Sequence, residues 1–172
     1  MPIDPKIEQP TRVMLGHAIR HQLGDLASVI QAEGNDTLLA SIPLCLFASA
    51  YIAIDVCKRW PTNADIRQSA KSAAESETGL DITEQEIYEY LSLVALGTLR
   101  LDGVFSAEGV TPIPLFATAN LLLTFCPKEK HWWEYLDQIR EAADTAERTS
   151  LTALPALMLR AHKESTGDDD TD

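Results

Sequence analysis

The sequence predicts an all-α fold, a compact bundle of six or seven helices around two apolar central ones. Three observations carry this expectation. Ala and Leu dominate a chain that is 45% hydrophobic with only 8 glycines, and β-branched residues form no alternating runs. Apolar residues recur at three- and four-residue spacing, the period of a helix with one buried stripe. Two uncharged runs, Thr37 to Ile54 and Val110 to Cys126, are apolar on every side, as helices enclosed by other helices are.

The elements follow in order. MPIDPKIEQP holds three prolines and is expected as an extended arm over residues 1–10. Residues 11–163 form a single helical domain. Thr11 caps a first helix that runs to about Glu33 and stops at Gly34-Asn35, with Leu15, Ile19, Leu23, Leu26 and Ile30 as its stripe. The second helix starts either at Asp36, with Pro43 as a kink, or at Ser41, with Pro43 in the first turn; it ends near Arg59 or Trp60, before Pro61. Thr62-Asn63 opens a third, about Ala64 to Thr78, whose small inner face (Ile66, Ala70, Ala73, Ala74) admits a close neighbour.

Thr83 and Glu86 form a capping box for a fourth helix with Ile87, Leu91, Val94 and Ala95 inward. After a linker from Asp102 to Thr111, a fifth helix spans about 111–126. A sixth in KEKHWWEYLDQIREAADTAER turns Trp132, Tyr135, Leu136, Ile139 and Ala143 inward, and Ser150 to about Lys163 forms a seventh, bent at Pro155. Residues 164–172, a charged acidic tail, are expected to be disordered.

The run at Thr37 to Ile54 is almost long enough to span a bilayer. It carries Ser41 and Ser49 and ends at Asp55, the chain's mean hydropathy is −0.08, and the other helices are amphipathic, so a soluble core helix is expected and no membrane partner. The start of the chain has no basic stretch leading into an apolar core, so it does not read as a secretory signal, and the three cysteines form no CxxC pair; cytoplasmic residence with reduced thiols follows.

Net charge is −12, of which −10 falls on residues 81–172. Such a field repels phosphate backbones. Residues 64–91 have the outline of a helix-turn-helix, but the second helix would bring Glu84, Glu86 and Glu89 and no cation to the groove, so no nucleic-acid partner is expected.

Catalytic signals are sparse. No phosphate-binding glycine loop, nucleophile elbow, zinc-protease or metal-finger spacing occurs, and Glu-x-x-His, the pair of helical di-iron sites, is absent. His17, His21 and Asp25 recur every four residues and would chelate a metal from one helix face; with no second cluster to complete a shell they read as surface residues, and no cofactor is expected. Asp55 reads as a helix-end carboxylate paired with Arg59.

The expected function is therefore that of a non-catalytic interaction module (an adaptor, inhibitor or immunity-type protein) that self-associates. Its contact residues would be Glu84, Glu86 and Glu89, on an acidic face suited to a basic protein partner, and Trp133, which the stripe of Trp132 leaves at the helix boundary. The alternative is a small-molecule sensor or carrier with a pocket between the central helices, lined by Leu46, Tyr51, Asp55, Phe116 and Asn120.

Overall fold

The computed structural model describes residues 5–76, 82–95, 105–106, 109–110 and 113–148. Among them stand seven helices: α1 (Pro5–Ile19), α2 (Leu23–Glu33), α3 (Asn35–Cys57), α4 (Asn63–Ser76), α5 (Glu84–Ala95), α6 (Ile113–Phe125) and α7 (Trp132–Arg148). A two-residue antiparallel pair, β1 (Phe105–Ser106) with β2 (Gly109–Val110), lies within the expected linker. The helix expected over Ser150 to Lys163 and the acidic tail lie outside the described residues.

α1 spans Pro5–Ile19, which corrects the extended arm expected over residues 1–10 where they are described, from residue 5 on. Pro10 sits inside the helix, and Thr11 is buried there, its hydroxyl donating to the Ile7 carbonyl (2.7 Å) instead of capping.

The single helix expected from Thr11 to Glu33 is two helices. His21 adopts a left-handed conformation (φ 57°); its N–H donates to the Ala18 carbonyl (3.0 Å) and that of Gln22 to the His17 carbonyl (2.9 Å). These two bonds close α1 as a Schellman motif, a stop usually signalled by glycine. Here histidine takes the glycine position, so the composition concealed the break. Gly34 (φ 82°) separates α2 from α3 as expected.

α3 takes the longer of the two forms anticipated, starting at Asn35 with Pro43 inside, and Ser41 donates to the Leu38 carbonyl (2.6 Å) rather than capping. It ends at Cys57, where Lys58 turns left-handed (φ 53°), earlier than Trp60. By length and composition α3 could cross a membrane, yet 67% of its apolar window is buried against the other helices. α6 packs against α3, α1 and α4, and more lightly against α5 and α7, so both apolar helices are central. Leu44, Cys45, Ile52 and Ile54 of α3 and Leu115, Leu121 and Leu122 of α6 are all buried. Each such aliphatic side chain contributes roughly 1.5–3 kcal/mol relative to exposure.

The starts of α5 and α4 follow the anticipated capping chemistry. The Thr83 N–H donates to Glu86 (2.7 Å) and the Glu86 N–H to the Thr83 hydroxyl (3.2 Å), closing α5's capping box. The Thr62 N–H donates to Asp65 (2.7 Å) in the same way at α4. On α7 the buried stripe is Tyr135, Leu136, Ile139 and Ala142, with Ala143 only half-buried.

Candidate interaction surface

Helix directions bring several termini to one end of the bundle. Arg12 of α1 pairs with Asp137 of α7 (2.6 Å), and a Cβ on Gly16 would lie 3.3 Å from the Trp132 ring. Tyr51 and Asp55 of α3 meet Gln138 and Tyr135 of α7 respectively. Both pairings run backwards along α7, so α7 is antiparallel to α1 and α3. The C-termini of α1, α3 and α6 therefore gather where α7 begins, because α6 leads into α7 through residues 126–131.

A polar seam fixes α7 there. The Tyr135 hydroxyl donates to Asp55 Oδ2 (2.6 Å), and Lys58 donates to Asp55 Oδ1 (2.9 Å). Gln138 Nε2 donates to the Tyr51 hydroxyl (3.0 Å), and Lys130 donates to Gln138 Oε1. The rings of Tyr51 and Tyr135 pack edge to face at 6.3 Å. Burial, together with the adjacent Asp55 carboxylate, drives the Tyr135 phenol well above its ordinary range, so it stays protonated and donates. The expected Asp55–Arg59 pair does not form: α3 stops before Arg59, which instead makes two bonds to Asp65 (2.8 and 3.1 Å).

The same end presents the aromatic edge. The His131 N–H donates to Glu134 (2.8 Å), fixing the first turn of α7. The His131 ring stacks on Trp133 (4.2 Å between centroids, 11° between planes), and Trp132 meets Trp133 edge-on at 5.8 Å. Trp132 packs against the core, while Trp133 is 43% exposed. A stacked, exposed tryptophan has little side-chain freedom left to lose on binding.

The acidic residues lie elsewhere, on α5, so the four expected contact residues split between two surfaces. Glu86 is spent on the capping box; Glu84 and Glu89 are exposed, with Gln85 donating to Glu89 (2.7 Å). The adjoining α4 carries cations: Arg67 lies over the Tyr88 ring (4.4 Å) and Lys71 pairs with Glu75 (3.8 Å). Among the described residues, these two cations stand beside Glu84 and Glu89.

His17, His21 and Asp25 do not share a helix face, which corrects the metal-chelating arrangement. The break in the helix puts His17 in α1, His21 in the turn and Asp25 in α2, and His17 Nδ1 contacts Gln22 Oε1 (3.1 Å). Among the described residues no three His, Cys, Asp or Glu side chains gather as a metal site.

The pocket residues also diverge. Tyr51 and Asp55 address α7 rather than α6, and Leu46 and Phe116 pack against the core. Asn120 is 1% exposed and neither its amide nitrogen nor its oxygen has a hydrogen-bond partner; Thr124 Oγ1, one turn on, is likewise buried without one.

Between α3, α5 and α6 lies a second polar cluster. Ser49 donates to the Tyr90 hydroxyl (3.2 Å) and lies 3.0 Å from Thr118 Oγ1, which bonds the Pro114 carbonyl (2.7 Å). Burial pushes the neighbouring Cys45 thiol up to about 12, with hydrogen bonds to Thr118 and Ser41 offsetting part of the rise. This cluster satisfies its own members and locks the two central helices in register.

Sequence reasoning missed both clusters. Their signal was present: a carboxylate closing an apolar run, and tyrosines and hydroxyls at stripe positions, all require buried partners. No protein-family model matches this chain, and comparisons with curated proteins and with solved structures found no match.

Proposed function

We propose that this chain is a non-catalytic protein-interaction module that works chiefly through the aromatic end, with Glu84 and Glu89 as a lesser contact for a basic partner. One observation carries the reading: Trp133 stands out of the bundle on a turn held by capping, stacking and the seam. Leaving such a ring in water forfeits burial that a partner would supply, and rigid aromatic anchors dominate binding energies.

The test is quantitative capture of protein partners on the immobilised chain across a salt series. The reading expects a partner lost with Trp133→Ala, and a basic partner released by salt if Glu84 and Glu89 take part. Captured proteins indifferent to Trp133→Ala, and to Glu84→Gln and Glu89→Gln, would refute it.

Asn120 favours a second reading, the small-molecule carrier, because an unpartnered buried amide costs about 1–3 kcal/mol unless something hydrogen-bonds it. Native mass spectrometry separates the two: a retained small molecule lost on Asn120→Leu supports the carrier.

A further inference from the structure

We infer that the aromatic end is the docking face for a second copy of this chain, the two pairing end to end about a two-fold axis. The inference rests on the interaction reading and narrows it to one occupant.

Exposed apolar side chains concentrate here. Of the six large ones exposed among the described residues, four belong to this end and only Val13 and Leu39 do not. Trp133 opens α7 and Leu23 opens α2, just past the turn that closes α1 beside Trp132. Val56 adjoins Asp55, which holds Tyr135. Leu123 lies in the last turn of α6, which leads into α7. A surface that collects most of the exposed apolar side chains marks an interaction site.

Charge selects the occupant. The chain carries −12, so two copies repel along most approaches. A two-fold interface sets a patch against itself, and an acidic patch would oppose its own charges. Among the described residues at this end the charges balance instead. Lys58 pairs with Asp55 and Arg59 with Asp65. Arg20, Lys128 and Lys130 stand among as many carboxylates, Asp25, Glu129 and Glu134. Self-pairing here buries apolar side chains without confronting like charges, whereas a strongly basic partner would find no net charge to match.

Sedimentation of the full chain over a range of concentration and salt tests this. The expected result is a monomer–dimer equilibrium that persists at high salt. Trp133→Ala weakens it roughly tenfold or more, as for an interface hot spot. Lys128→Glu, an exposed change that makes the end acidic in both copies, also weakens it, while Leu39→Ala does not. Circular dichroism checks that each variant keeps its helices. A chain monomeric throughout, or a dimer that neither Trp133→Ala nor Lys128→Glu weakens, overturns the inference. A monomer that still captures a different protein through Trp133 overturns the second copy alone; a monomer that captures nothing overturns the interaction reading as well.

Discussion

Tyr135 donates to the Asp55 carboxylate across 2.6 Å, joining the first turns of α7 to the last turn of α3. Tyr135 is buried, so removing its hydroxyl leaves a mostly enclosed carboxylate with one partner fewer. Tyr135→Phe should lower stability by about 1.5–3 kcal/mol, the cost of losing a bond to a charged group. In a double-mutant cycle with Asp55→Ala by urea unfolding, additive effects would show that the two residues are not coupled.

A Cβ added to Gly16 would lie 3.3 Å from the Trp132 ring, which is tighter than ordinary contact. Alanine at an interior helix position normally gains about 1 kcal/mol over glycine. Gly16→Ala should gain less than this, and Gly16→Leu should destabilise while shifting tryptophan fluorescence. A full propensity gain for Ala and an unperturbed spectrum for Leu would show that α1 does not press on that ring.

His21 holds the left-handed position of the Schellman motif at a cost of roughly 1–2 kcal/mol that glycine avoids. His21→Gly should therefore raise the thermal midpoint, and His21→Val should lower it. If His21→Val were as stable as the parent, the left-handed turn between α1 and α2 would not form in solution.

Three free thiols should react in two classes. Cys45 is buried and its thiol is raised to about 12, whereas Cys57 and Cys126 are only partly covered, their thiols raised more modestly, chiefly by burial. A thiol reagent at mildly alkaline pH should label at most two groups in the native chain, slowly, and the third only with denaturant. Rapid labelling of all three would mean that α3 and α6 part readily.

Asp65 is held down to about 2, first by its hydrogen bonds from Thr62 and then by Arg59. Its folded value lies below its unfolded one, so its stabilising contribution is complete above the ordinary carboxylate range. It is lost as pH falls from about 4 towards 2. Asp65→Asn should be less stable at neutral pH and lose less of its stability on acidification than the parent. Parallel acid limbs for the two proteins would remove Asp65 from the capping of α4.

The sequence carries the fold legibly where local chemistry decides it. Thr83–Glu86 and the uncharged runs that became α3 and α6 follow from capping and hydropathy alone. It misleads where one residue does another's work: His21 stops a helix in glycine's place, and Pro10 sits inside a helix it would ordinarily end. The candidate surface was half legible. Trp133 emerges from the helical period, but the seam behind it joins residues 80 and 87 positions apart, and no local pattern encodes such a pairing.

That separation bears on how the chain is made. Asp55 and Tyr51 leave the ribosome long before Tyr135 and Gln138, so the longest apolar helix waits, its end unlatched, until residues 135 and 138 have emerged. Nascent chains stalled before residue 135 would lack that closure.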